Sequence, residues 1–306
     1  MVSPLAPTYG AWLVSVWFAT ILYGVGLLQT WLYFHWYSSD HWGVRLTVVA
    51  LILLETLHIS FLFASTYNSF VNNFGNASTI FMVTWLDSAQ LLAGYLSAFI
   101  VQSYFAWCLF LLNKKQKKVT LLIMALALAQ IGAGLAQTIN ITVLGTLLKI
   151  EATKPALIFQ SAATLSCDAV ITIALYLTLR SKRTGMDSTN TLLQKLTVIA
   201  VNRGAFTTLG AAVNMTLFLA LPGTFYYLLG LMTSSKLYLN SMLATLNTRQ
   251  HIKQTAHDSE RAWNSIHLAG LSTVPNGTGT TMLTAYNSED TKSNRILNGS
   301  LVENMI

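Results

Sequence analysis

Apolar residues run along this chain in seven long blocks, near 8–34, 45–68, 83–112, 119–144, 155–180, 192–220 and 224–246. A helix that crosses a bilayer needs about 20 mostly apolar residues. Each block supplies that length, and the longer ones leave room for tilt or for helix beyond the lipid. The connections between blocks are short and hold no soluble domain. The pattern predicts an all-α integral membrane protein whose seven transmembrane helices form a bundle over residues 1–249. From residue 250 the pattern stops. The stretch "VPNGTGTTMLTAYNSEDTKSNRILNGS" is rich in Ser, Thr, Asn and Gly and has no hydrophobic period, so residues 250–306 are predicted to be a disordered tail.

Polar residues interrupt the blocks at chosen depths. Glu55, Asp168, Arg203 and Lys236 each sit eight to twelve residues from a block end. At about 1.5 Å per residue that is roughly 12–18 Å, close to the midplane of a core about 30 Å thick. Their formal charges sum to zero. Neighbouring polar positions recur at helical spacing: Ser161, Thr164, Asp168 and Thr172 in the fifth block; Arg203, Thr207, Gly210 and Asn214 in the sixth; Thr233, Lys236, Asn240 and Asn247 in the seventh. The second block pairs Glu55 with His58, and the third offers Asp87, Gln90, Gly94 and Ser97. Charged groups inside a bilayer face the bundle interior and mark ligand or ion sites by default. The competing reading is a self-neutralising charge network that holds the second, fifth, sixth and seventh helices in register. Lys236 is expected to find a protein carboxylate, Asp168 ahead of Glu55.

Composition changes little in this picture. The chain of 306 residues is 53% hydrophobic and 9% charged, against about 25% charged in a soluble domain. Mean hydropathy is +0.52. The net charge of +7 would suit a nucleic-acid ligand if it were spread over one face, but the basic residues cluster between blocks, as the positive-inside rule requires. They fall at Lys114, Lys115, Lys117 and Lys118, at Arg180, Lys182 and Arg183 with Lys195, and at Arg249 and Lys253. These share one side of a seven-span bundle, which puts the N-terminus outside and the C-terminus in the cytoplasm. Lys149 and Lys154, beside Glu151, vote the other way. The sequon Asn76-Ala77-Ser78 falls outside on this topology and makes Asn76 a glycosylation candidate. The N-terminal block, with no basic run before it and too long for a signal segment, is expected to be a retained first span.

Several features have plainer uses. Cys108 and Cys167 lie within apolar blocks, where packing is the expected role; Cys108 is also a palmitoylation candidate. In "ALALAQIGAGLAQ" the pairs Ala129–Ala133 and Gly132–Ala136 suit close helix packing. Trp12, Trp31, Trp36, Trp42 and Trp85 lie near block ends, where an interfacial belt is expected. No metal-ligand cluster and no nucleophile–base arrangement can be assembled, so no enzyme, metal or cofactor is implied.

Three seven-helix classes compete. Lys236 midway along the last block is raw material for a retinal Schiff base. Microbial rhodopsins, however, carry an aspartate four residues before that lysine, where this chain has Met232, and their Arg-Tyr-x-x-Asp-Trp type third helix is missing. Against a G-protein-coupled receptor of the common type, the third block ends "FAWCLFLLNKK" without Asp-Arg-Tyr and the seventh lacks Asn-Pro-x-x-Tyr. Against many transporters, no inverted repeat is evident. The successive stretches "SCDAVITIAL", "RTGMDSTNTLLQKL", "VNRGAFTTLGA" and "SSKLYLNSMLATLNTR" instead resemble a family of basidiomycete fungal seven-span membrane proteins known only as a domain of unknown function. The matching positions are Asp168, Thr172, Arg183, Gly185, Lys195, Asn202, Gly204, Lys236, Tyr238, Asn240, Ser241, Leu246, Asn247 and Arg249, with Met242 where Leu is usual. The resemblance covers roughly residues 160–250 and implies fold and membrane location but no activity. The resulting expectation is a receptor-like or sensory protein seated in the lipid bilayer, in the plasma membrane or an endomembrane. Its polar interior would bind a small-molecule ligand and its loops and tail a cytoplasmic protein partner. Transport of a small solute or ion, or a structural membrane role, are the alternatives. The residues expected to carry the site are Glu55, His58, Asp87, Asp168, Thr172, Arg203, Lys236 and Asn240.

Overall fold

A computed structural model describes residues 6–38, 40–76, 81–181 and 187–248. Within that range the side chains of Leu148 and of several residues of the sixth helix, Arg203 among them, lie outside the description, as does the predicted tail. The described residues form α1 (Ala11–Trp36), α2 (Trp42–Tyr67), α3 (Trp85–Leu112), α4 (Lys117–Leu144), α5 (Lys154–Ser181), α6 (Asp187–Ala220) and α7 (228–248). Among them there is no strand, only an isolated antiparallel bridge between Met82 and Thr146. Five segments are long and apolar enough to cross a membrane: Ala6–Trp36, Trp42–Asn72, Trp85–Leu112, Lys114–Leu144 and Lys149–Ser181. This marks a multi-pass protein that sits in a lipid bilayer. In α6 only Gly204–Ala220 forms an apolar stretch, because Asp187, Asn190, Gln194, Lys195 and Asn202 occupy its first half.

Local chemistry sets the helix ends. Thr84 and Asp87 form a reciprocal capping box at the start of α3, which satisfies two N–H groups that a helix start leaves open. At the other end of its neighbour, α4 stops on Gly145, whose φ of 64° a residue with a Cβ adopts only with strain. Trp12 near the start of α1 donates to Thr66 near the end of α2, so these two helices run antiparallel. Asn240 and Asn247 of α7 donate to the carbonyls of Leu22 and Gln29 of α1, a spacing of two helical turns on both, so α1 and α7 run parallel. One end of the bundle therefore gathers residues 6–10, 68–84, 145–153 and 221–227 and is here the Asn76 end. The opposite, lysine end carries the exposed Lys114, Lys115, Lys117 and Lys118.

Lipid tails are as apolar as leucine, so helices in a membrane are held by close packing and interhelical hydrogen bonds. Two glycines show this. Gly134 of α4 lies against the ring of Tyr95, and a Cβ at Gly204 of α6 would overlap Thr172 of α5. The expected small-residue pairs on α4 are not the packing face. Gly132 and Ala136 are exposed, and a Cβ on Gly132 would meet nothing within 4 Å. The buried face is Ile123, Ala127, Gln130, Gly134, Gln137 and Ile141, whose alternating four- and three-residue steps keep one side of the helix inward. Trp31, Trp36, Trp42 and Trp85 are exposed near helix ends, whereas Trp12 is buried; its indole is drawn inward by Thr66. Cys108 and Cys167 are both free and buried, as packing residues should be.

Two apolar clusters divide the interior. The one at the lysine end is the larger. It includes Tyr33, Val48, Leu51, Val101, Leu109, Ile123, Ile171, Leu239, Met242 and Leu243, each fully buried. The other, at the Asn76 end, joins Ala11, Trp12, Leu62, Leu157, Phe218, Phe225, Tyr227 and Met232.

Candidate functional site

The site is built around Lys236, which α7 carries into the bundle with no exposure to its surroundings. Its Nζ lies 3.1 Å from Glu55 Oε2 of α2, 2.6 Å from His58 Nδ1 and 3.3 Å from Ser235 Oγ. An ammonium has three N–H bonds, and here each has one acceptor. Ser235 Oγ in turn donates to Glu55 Oε2 at 3.1 Å. Glu55 and His58 stand one turn apart on α2, which is why the same ammonium reaches both. If Nδ1 accepts, the imidazole proton sits on Nε2. That edge of the ring faces Gly94 of α3, where a Cβ would come within 3.6 Å of Nε2.

Asp168 is not the partner of Lys236, contrary to the expectation from its depth. Its carboxylate accepts from Tyr238 Oη at 2.6 Å and from Gln102 Nε2 at 3.3 Å. Depth alone does not fix a pairing. Lys236 and Tyr238 are two residues apart, about 200° around α7, so the lysine meets α2 while the tyrosine meets α5. The same rotation splits the stripe expected on α7. Asn240 and Asn247 do not join Lys236 in the interior; they hold α1 through its carbonyl oxygens.

The remaining expected residues take separate roles. Asp87 accepts from Ser65 Oγ at 2.6 Å and from Thr84 N and Oγ1 at 2.8 and 2.7 Å, so its carboxylate is engaged in the helix cap. Thr172 donates to the Asp168 carbonyl at 2.7 Å and packs on Gly204. Arg203 lies on α6 with its side chain outside the described residues. Asn76 is exposed, and the Ala77-Ser78 part of its sequon lies outside them too.

Next to this network is a cavity of about 100 Å³ between α2, α3, α4, α5, α6 and α7. By the same measure a water needs about 10–15 Å³, so the space holds several waters or a small organic molecule. It runs from Trp12, Met82, Val83 and Tyr227 at the Asn76 end to His58, Ala98 and Tyr238 at mid-depth. His58 lines it; Lys236 and Glu55 lie behind the imidazole. Its polar walls are mainly amides: Gln90 of α3, Gln130 and Gln137 of α4, Gln160 of α5 and Asn214 of α6. Tyr95 Oη donates to Gln137 Oε1 at 3.0 Å, and Gln160 bonds Thr164. Gln102, Gln130, Gln137, Ser235 and Tyr238 were not singled out from the sequence as interior polar groups. Gln130 and Gln137 were legible there: two amides seven residues apart in an apolar block fall on one helix face.

Fold and site together define a multi-pass helical membrane protein with a polar interior cavity. Residues 164–251 match a family of unknown function, DUF6534. That segment runs from the middle of α5 past the end of α7 and contains Asp168, Thr172 and Lys236, while Glu55 and His58 lie outside it. No curated protein matches the chain.

Proposed function

We propose that the chain is a seven-span, non-enzymatic membrane protein, N-terminus outside and tail in the cytoplasm. On this reading it acts as a receptor-like or sensory protein whose cavity takes a small molecule from the Asn76 side. Its lysine-end loops and tail then meet cytoplasmic partners. The observation that carries this reading is the asymmetry of the interior. The cavity and its amides occupy the Asn76 half, and the apolar cluster around Val101, Leu109, Ile171 and Leu243 fills the lysine half. A transporter or channel needs a polar path to both faces; here the polar lining stops at mid-depth. The orientation draws on the exposed lysines at one end. At the other end Lys154 is neutralised by Glu151 at 2.9 Å, which weakens the one contrary charge cluster.

A membrane-impermeant thiol reagent on sealed vesicles tests this in a background where Cys108 and Cys167 are serine. Cysteines placed at Gly94 and Ala98 should be labelled from the Asn76 side only, and cysteines at Val101 and Leu109 from neither. Labelling of Leu109→Cys from the lysine side would overturn the closed-floor reading and favour transport.

A further inference from the structure

Three side chains set the chemistry of the cavity. Gln90, Gln130 and Asn214 line it from α3, α4 and α6. Each is more than nine-tenths buried, at 7%, 2% and 7% exposure. Each keeps a carbonyl oxygen that accepts no hydrogen bond: Gln90 Oε1, Gln130 Oε1 and Asn214 Oδ1. The orientation of the Gln90 amide follows from its neighbour, since Nε2 faces Asp87 Oδ1 at 3.5 Å and a flipped amide would set two oxygens against each other. A buried acceptor without a donor is a destabilising feature that native interiors avoid. Three around one cavity indicate that donors come from what fills it.

The charges nearby are already matched. Asp87 is held by Ser65 and Thr84, and Lys236 and Glu55 neutralise each other. Among the described residues, no formal charge on the cavity wall is left to meet an ionic ligand. Trp12, Tyr95, Leu231 and Met232 supply apolar and aromatic wall for a hydrophobic body.

We infer that the cavity takes a neutral small molecule with an apolar or aromatic body and two or three hydroxyl or amide N–H donors. Those donors are received by the carbonyl oxygens of Gln90, Gln130 and Asn214. The inference rests on the receptor-like reading and specifies its ligand class. It is the arrangement expected of small-molecule sites, mostly apolar with a few convergent polar groups.

The test uses the full-length protein in detergent micelles and four probes of one shape: 1,4-benzenedimethanol (neutral, two donors), 4-(aminomethyl)benzyl alcohol (cationic), 4-(hydroxymethyl)benzoate (anionic) and p-xylene (no donor). The dimethanol should raise the unfolding midpoint by roughly 2–4 °C at saturating concentration, and the other three should not. Gln130→Leu should abolish that rise. Without probe, Gln130→Leu should unfold at or above the wild-type temperature, because it removes an unsatisfied buried acceptor. A lower midpoint for unliganded Gln130→Leu, and for Gln130→Met as a second shape, would assign the amide a structural partner and overturn the inference. A rise with a charged probe alone would overturn the neutral-ligand class and leave the pocket standing. No rise with any probe would overturn both the ligand class and the pocket.

Discussion

The two halves of this bundle are built from the same helices and similar composition, yet they are packed on different principles. At the lysine end, Leu51, Val101, Leu109, Ile123 and Leu243 interdigitate with no exposure. At the Asn76 end, aromatic residues roof a cavity whose walls carry amides with unmet hydrogen bonds. Between the halves lies the only layer where formal charges meet among the described residues of the interior, Glu55 with Lys236. A dry half of this kind resists deformation, because a close-packed interior has few alternative arrangements. A half with a void and unsatisfied acceptors has stability to gain from a ligand. The difference separates a rigid floor from a responsive chamber.

The boundary layer should give the largest effect when broken. Lys236→Met leaves Glu55 as an unpaired charge inside the bundle and should destabilise by about 3–5 kcal/mol. Membrane abundance should fall sharply, read by immunoblot of membrane fractions. The double variant Glu55→Gln/Lys236→Met removes both charges and should recover most of that loss; if it does not, the pair is not the unit described here.

Next in size is a contrast between the halves. Ala106 of the floor is 1% exposed and packed, so Ala106→Leu should overpack and cost about 1–3 kcal/mol. Ala211 lines the cavity at 8% exposure, so Ala211→Leu fills space and should stabilise by about 0.5–2 kcal/mol. Thermal unfolding of the two variants should move in opposite directions. A loss at both would mean that the chamber is as tightly packed as the floor.

The smallest effect is expected at the edge. Asn247→Ala removes the hydrogen bond to Gln29 O, worth about 0.5–1.5 kcal/mol. Hydrogen exchange should rise in α1 near Gln29 and stay unchanged in α4.

Much of the architecture could be read along the chain because a bilayer enforces it. Long apolar blocks become helices, since backbone groups in lipid must be satisfied within the segment. The capping box at Thr84 and Asp87 and the Gly145 stop are equally local, so they too follow from neighbouring residues. The site was legible only in part. Glu55, His58 and Lys236 stood out as ionisable groups in apolar blocks, and the structure brings those three together. Asp168 stood out for the same reason, but it answers to Tyr238 and Gln102. Asn240 and Asn247 were on the expected helix and not on the expected side of it. Depth is a one-dimensional property of sequence, whereas pairing depends on how far each helix is turned about its axis.

By itself, then, the sequence determined the helical class, the membrane setting, the depth of each charge and the need for every interior charge to have a partner. Those follow from hydropathy and from the cost of an unpaired charge in lipid. Only the tertiary structure decided that Lys236 belongs to Glu55 and His58, that α1 is held by asparagines, and that the amides of α3, α4 and α6 surround a cavity in one half. Each of these is a contact between residues distant in sequence. It is set by helix rotation and by the shapes that pack against one another, which no single helix encodes.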